Sequence, residues 1–193
     1  IPLGCLSAYN RGKLGDNIII VFATCGIAIP SFISSVILLY TFGSKLNLLP
    51  TVGLNTMSSY IMPVTALAIY PTAYITRLMR SSLLDVMGQD YIRTAKAKGL
   101  GKFNKTFKHA FHNAVIPVLT VAGYMFAGAI GSTVLIEQIF SLPGIGGMLV
   151  TGIQQNNYPI VQVLVLVMLV SYLIMSFVVD ILYAVVDPRV EMK

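Results

Sequence analysis

Charged side chains are scarce in this sequence, since only 10% of its 193 residues are Asp, Glu, Lys or Arg. Soluble domains usually carry about 25%, and a soluble fold would have to expose much of a composition that is 56% hydrophobic. A disordered chain is also excluded, because such chains are polar and rich in charge. The sequence therefore predicts a membrane protein. Its net charge of +6 indicates cytoplasm-facing loops in contact with membrane lipid, rather than a nucleic-acid partner.

Motifs for covalent or metal chemistry are missing as well. The two cysteines, Cys5 and Cys25, lie in or near apolar stretches and predict no disulfide framework. No Cys or carboxylate is placed to complete a metal site with His109 and His112, so we interpret them as surface histidines. The segment around Lys102 lacks the residues of a phosphate-binding loop, and no Gly-x-Ser-x-Gly elbow occurs. We expect no catalytic residue, no metal and no cofactor in this chain.

The sequence contains four long stretches without charged residues. Each can cross a bilayer, which takes about 20 apolar residues. They cover residues 18–42, 60–76, 115–136 and 160–179. Residues 1–8 are interpreted as the end of an earlier span, and the start at Ile1 without a signal peptide predicts that an upstream part is missing. The sequence thus predicts at least four full transmembrane helices plus the end of another.

The basic residues predict the orientation of these spans. All Lys and Arg residues except Lys45 precede the first span, follow the last or lie between the second and third. The positive-inside rule therefore places residues 77–113 and the C terminus in the cytoplasm. Residues 43–59 and 137–159 are then predicted to be outward-facing loops rich in turn residues.

Asp, Glu, Lys and Arg are absent from the middle of every predicted span. Proton-coupled carriers usually keep such groups there, so a self-powered proton pump is disfavoured, and any ATP hydrolysis must belong to another subunit. We interpret the hydroxyl groups within the spans mainly as partners in helix–helix hydrogen bonds, with some free to line a polar path. These residues are Ser34, Ser35, Thr72, Ser132 and Ser171.

The segment 77–113 is too long and too patterned for a simple connection. Apolar residues recur at helical spacing from Leu84 to Ala95, and Gly99-Leu100-Gly101 then ends the pattern. A second helical pattern, from Lys102 to His112, has phenylalanines on one face and basic residues on the other. Two interpretations fit these patterns equally. One is a helix lying on anionic lipid of the inner leaflet, and the other is a pair of short helices that docks on a cytoplasmic partner.

A resemblance to a known family favours docking. The cytoplasmic EAA loop of binding-protein-dependent ABC importer permeases, in the oligopeptide/dipeptide/nickel branch, is similar to two runs of this sequence. They are Tyr91-Ile92-Arg93-Thr94-Ala95-Lys96-Ala97-Lys98-Gly99-Leu100 and His109-Ala110-Phe111-His112-Asn113-Ala114-Val115-Ile116-Pro117. Arg93 stands where the general motif has an acidic residue. Residues 1–4, 137–146, 157–162 and 182–189 resemble further segments of the family. The start, 1–4, and the Asp-Pro-Arg ending, 187–189, look more like the first permease of its pair than the second.

The resemblance implies a single transmembrane permease domain of the type I ABC importer fold over residues 1–193, incomplete at its N terminus, with 77–113 as the cytoplasmic coupling loop. It implies location in the cytoplasmic membrane, together with a second homologous permease, two ATP-binding cassette ATPases and an extracytoplasmic substrate-binding protein. Contact with an ATPase is implied for Tyr91, Thr94, Ala95, Ala97, Gly99 and Leu100. The outer-loop residues Glu137, Pro143 and Gly144 are interpreted as an outer gate or a contact with the binding protein.

The function implied by the resemblance is import of oligo- or dipeptides by alternating access, driven by ATP hydrolysis in the partner subunits. A permease for nickel or a metal–chelate complex is the alternative within the family. Two alternatives come from other classes of protein. A passive channel would need no ATPase, and an intramembrane enzyme would need a buried catalytic set.

Overall fold

The structure is a computed structural model that describes residues 1–54, 56–92 and 110–186. The regular elements of these residues are all helical, which confirms the all-α prediction. The α-helices are α1 (Pro2–Tyr9), α2 (Leu14–Ala28), α3 (Ser31–Leu38), α4 (Ile61–Met87), α5 (Phe111–Ile139), α6 (Ile145–Gln154) and α7 (Tyr158–Val186). A π-helix, Leu39–Lys45, continues α3, and a 3-10 helix, Met57–Tyr60, leads into α4.

Two helices of the described residues, α5 and α7, are each long and apolar enough to cross a membrane. They contain the third and fourth predicted spans. The helices α2 and α3 supply a third candidate if they are counted as one broken span. Helix α4 contains the second predicted span except for Tyr60, and its 27 residues extend over about 40 Å. It is less apolar because tyrosines and two arginines, Arg77 and Arg80, lie along it.

The first predicted span is two helices rather than one. Helix α2 ends at Ala28 and α3 begins at Ser31, with Pro30 between them. Proline has no N–H to continue a helix and disfavours helical backbone in the residue before it. The Pro30 carbonyl instead accepts the first hydrogen bonds of α3, from the N–H groups of Ile33 and Ser34.

Two further details differ from the sequence-based expectations. The predicted outer loop 137–159 contains the last residues of α5 and the whole of α6, a helix that the turn residues of this segment did not predict. The helical pattern predicted from Leu84 to Ala95 is interrupted, because α4 ends at Met87 and a turn follows at Gly88 and Gln89. The Gly88 N–H still bonds to the carbonyls of Leu84 and Asp85, which closes the last turn of the helix.

The chain forms two compact units. Unit 1 consists of Ile1–Ala28, Pro71–Gly123 and Val179–Lys193. Its described core is a continuous apolar cluster contributed by α1, α4, α5 and the residues on both sides of segment 93–109. The buried members are Cys5, Ala8, Met79, Leu83, Ile92, Ala110, Ala114 and Val118.

Unit 2 consists of Ile29–Tyr70 and Tyr124–Val178. Its buried cluster is smaller and joins Met62 of α4 to Ile136 and Phe140 at the end of α5. The Gly53 N–H donates to the Phe140 carbonyl at 3.4 Å, which attaches the segment after the π-helix to the same cluster. The largest described cluster of this unit therefore lies beside the outer-loop residues predicted from the sequence.

The hydroxyl groups within the spans bond mainly to their own helices. Ser34 and Ser35 both donate to the Ser31 carbonyl, Ser132 donates to Ala129, and Ser171 donates to Val167. Each bond reaches back three or four residues, which is the usual local alternative for a helical serine. The prediction that these four residues mainly join different helices was wrong.

Candidate functional site

The predicted coupling residues are described only at their first member. Tyr91 is 45% exposed, and its Oη accepts a hydrogen bond of 3.0 Å from Nδ2 of Asn113. Segment 93–109 lies outside the described residues, and with it lie five predicted contact residues: Thr94, Ala95, Ala97, Gly99 and Leu100. The Tyr91–Asn113 bond joins the two chain segments that lead into and out of this segment.

These two flanking segments are anchored on the C-terminal part of α4. Ile92 is buried before segment 93–109, Ala110 and Ala114 are fully buried after it, and all three belong to the cluster of Met79 and Leu83. The Ser82 hydroxyl donates to the Ala114 carbonyl at 2.8 Å. Apolar burial thus places both flanking segments in one cluster with α4, and a hydrogen bond attaches the second segment to that helix. We call the set Ile92, Ala110 and Ala114 the loop base.

The predicted outer-loop residues meet at the start of α6. Glu137, in the last turn of α5, accepts a hydrogen bond of 3.0 Å from the Gly147 N–H through Oε2. Gly147 belongs to the first turn of α6, whose N–H groups have no partner within the helix. A carboxylate is favourable there because it faces the positive end of the helix dipole. Glu137 is therefore attached to the start of α6 by this hydrogen bond.

Two glycines, Gly144 and Gly146, lie close to this carboxylate and have little space around them. A Cβ on Gly144 would overlap the Glu137 carboxylate, and a Cβ on Gly146 would lie 2.7 Å from the Val134 Cα. At Gly146 the close atom is backbone and cannot move away, so this position must stay without a side chain, whereas a side chain on Gly144 would displace the Glu137 carboxylate. Of the three predicted gate residues, the structure thus brings Glu137 and Gly144 together directly.

Pro143 and Gly144 also line an open groove of unit 2 with a volume of 710 Å³. Other lining residues come from α6 and the start of α7, among them Met148, Gln155 and Ile160. No charged side chain is among the described residues that line it. This groove fits an apolar or amide-bearing partner better than an ion.

One buried charge was missed from the sequence. The Asp16 side chain is 2% exposed and forms an ion pair with Arg80, with Oδ1 2.7 Å from Nε and Oδ2 2.8 Å from Nη2. The Ser7 hydroxyl donates to Oδ1, and the Gly12 N–H donates to Oδ2 at 2.9 Å. The carboxylate therefore accepts four hydrogen bonds within unit 1. We call Ser7, Gly12, Asp16 and Arg80 the Asp16 cluster.

No group of three or more His, Cys, Asp or Glu residues that could hold a metal ion occurs among the described residues. His112 is exposed, and His109 lies outside those residues. The described part of the chain thus offers hydrogen bonds, apolar contacts and one buried ion pair as its chemistry.

Comparison with known proteins identifies the family of this chain. Residues 1–192 match the family described as Binding-protein-dependent transport system inner membrane component. The chain belongs to this family. The resemblance noted in the sequence is thereby confirmed. So is the predicted fold class, since this family is the membrane domain of type I ABC importers. Its description as an inner membrane component also agrees with the apolar helices α5 and α7.

Several named relatives of this family are similar over nearly the whole chain. The dipeptide transport system permease protein DppB of Bacillus subtilis (strain 168) is 40% identical over 100% of the chain and 62% of its own length. The DppB protein of Lactococcus lactis subsp. cremoris (strain MG1363) is 40% identical over 98% of the chain and 63% of its own length. The glutathione transport system permease protein GsiC of Escherichia coli (strain K12) is 34% identical over 98% and 62%. The chain thus spans less than two thirds of these relatives.

Proposed function

We propose that this chain is the permease part of an ATP-driven importer that carries oligo- or dipeptides across the cytoplasmic membrane. The observation that carries the proposal is the 40% identity, over the whole chain, to a protein named as a dipeptide permease. The match includes the EAA-like run on which the sequence-based prediction depends. Residues 1–193 would act as one permease domain, beside a second homologous permease.

The proposed mechanism is alternating access. Two ATPase subunits close on ATP and move the coupling loop, and the helices then open outward to receive a peptide from the extracytoplasmic binding protein. Hydrolysis by the ATPases reverses the change. The permease itself converts a rigid-body movement into a change of access and makes or breaks no bond. The anchoring of the loop base on α4 supports this, because a force on the loop would reach that helix directly.

Peptides are favoured over nickel or a metal chelate as substrate. The named relatives transport a dipeptide or glutathione by their names, and the predicted spans carry no fixed charge at their centres. A path without fixed negative charge suits peptides of varied sequence better than a divalent cation. Nickel import remains the alternative within the same family.

The test is uptake by the full-length permease reconstituted with the two ATPases, the second permease and the binding protein. We expect uptake of a labelled dipeptide that requires ATP and the binding protein, and no accumulation of ⁶³Ni²⁺ under the same conditions. Dipeptide uptake that is independent of ATP would instead indicate a passive channel.

The proposed topology gives a labelling prediction. In a full-length variant with Cys5 and the exposed Cys25 replaced by alanine, a single cysteine at Asn156 should react with an impermeant thiol reagent in intact cells. A cysteine at Asn104 should react only after the cells are opened, because the positive-inside rule places it in the cytoplasm. Labelling of position 104 in intact cells would overturn the proposed orientation.

Glu137 gives a prediction for the outer side. Glu137→Gln keeps an oxygen that can accept the Gly147 N–H but removes the charge at the start of α6, where it contributes about 0.3–1 kcal/mol. We expect uptake to fall roughly two- to fivefold, as such an energy implies, while co-purification with the ATPases is unchanged. Asp85→Asn, the same loss of charge at an exposed residue of α4, is the control. Wild-type uptake by Glu137→Gln would leave Glu137 without a transport role.

A further inference from the structure

The Asp16 cluster joins three parts of unit 1 through one carboxylate. Ser7 lies in α1, Gly12 lies in the turn between α1 and α2, and Arg80 lies in α4, 64 residues away from Asp16 along the chain. Gly12 has a φ of +77°, a left-handed conformation that favours glycine, and this conformation accompanies the bond from its N–H to Asp16. The cluster thus depends on local backbone geometry as well as on charge.

A buried ion pair of this kind is weak as a source of net stability. Removing two charges from water costs free energy that the attraction between them only partly offsets, and well-packed apolar residues are often as stable. A two-bond contact between a guanidinium and a carboxylate does fix distance and rotation together. The geometry therefore specifies one position of α2 against α4 more than it strengthens the packing between them.

The position of Arg80 connects the ion pair to the loop base. Arg80 lies between Met79 and Leu83, which are the two buried α4 members of the cluster that contains the loop base. Ser82, two residues further along, is bonded to Ala114. A displacement of the loop base therefore acts on the same turn of α4 that holds Asp16.

We propose that the Asp16–Arg80 pair is a positioning link that makes α2 follow the movement of the coupling loop. The inference rests on the proposed function, since it needs an ATPase that moves this loop. Without the pair, α4 would still respond to ATP, but α2 would no longer be held in one position against it. ATP hydrolysis would then continue with less substrate imported for each ATP.

The experiment uses the full-length permease, assembled with its partner subunits in proteoliposomes, and measures peptide imported per ATP hydrolysed. The double variant Asp16→Asn/Arg80→Met leaves no charge buried without a partner, and its asparagine can still accept the Gly12 N–H. We expect normal assembly, continued ATP hydrolysis and a fall in the import-to-hydrolysis ratio of at least about fivefold, the lower end of coupling between sites. Thr76→Val is the matched control, because the buried Thr76 hydroxyl bonds within α4 to Thr72.

An unchanged ratio in the double variant would overturn the inference and leave the pair with a structural role only. If the double variant does not assemble, Arg80→Lys decides by the same ratio, since lysine keeps the charge but loses the paired contact. A lowered ratio with normal assembly supports the link, and an unchanged ratio overturns it. Absence of ATP-dependent import in the wild-type complex would instead contradict the proposed function, so the two failures are distinguishable.

Discussion

Gly99→Leu in the full-length permease should abolish peptide uptake while leaving the protein inserted in the membrane. A glycine between two helical patterns allows a left-handed backbone or the close approach of another chain, and a leucine side chain opposes both. The resemblance to the EAA loop places this residue at the proposed contact with the ATPase. Membrane insertion should persist because the predicted spans do not depend on this loop.

The alternative role for Gly99 is that of an ordinary helix end. At a simple C-terminal cap a glycine-to-alanine change would cost about 1 kcal/mol and have little other effect. We expect Gly99→Leu to be present in membranes in normal amounts, with peptide uptake no higher than that of cells without the permease. Lys105→Leu is the control, and its uptake should be near that of the wild type.

Cross-linking tests the same contact independently of uptake. Cysteines at Ala97 or Leu100 should form cross-links with cysteines in the ATPase groove, whereas cysteines at Lys105 or Lys108 should do so less readily. Near-normal uptake by Gly99→Leu, together with no cross-link from this stretch, would show that the coupling contact is elsewhere.

The fold was predictable where composition alone decides it. Uncharged stretches longer than about 20 residues have few alternatives to membrane helices, and α5 and α7 follow the third and fourth predicted spans closely. Short elements were harder to predict. Helix α6 has only 10 residues and begins in a glycine-rich run, Gly144 to Gly147, that local propensity assigns to a turn. Its first turn lies against Val134 and Glu137 of α5, and the local sequence does not reveal this contact.

The candidate site was predictable only where a local run of residues carries it. The EAA-like run identified the family, and the single run 137–146 contains both Glu137 and Gly144. The pair of Asp16 and Arg80 has no such signal, because the two residues are 64 positions apart and each stands beside a predicted span among other charged residues. Only the packing of α1, α2 and α4 brings them together.

The second large effect is expected for a substitution of Gly4, which lies at the contact between α1 and α4. A Cβ on Gly4 would lie 2.5 Å from the Thr76 carbonyl oxygen, 2.7 Å from the Met79 Cβ and 3.2 Å from the Arg80 N. Two of these atoms are backbone and cannot rotate away, so α1 would have to move off α4. Forcing extra atoms into a packed site costs typically about 1–3 kcal/mol. Gly4→Ala should therefore destabilise unit 1 by this amount.

Gly15→Ala is the matched control, because the same methyl group placed on α2 meets no atom within 4 Å. Alanine is favoured over glycine in a helix by about 0.8–1 kcal/mol, so this variant should be as stable as wild type or slightly more stable. The measurement is thermal unfolding of the purified full-length permease, together with its amount in membranes. Gly4→Ala should also lower uptake more than the amount of protein explains, since moving α1 carries Ser7 away from Asp16. Equal unfolding temperatures for the two variants would contradict the close packing of α1 on α4, and with it the geometry on which the Asp16 cluster depends.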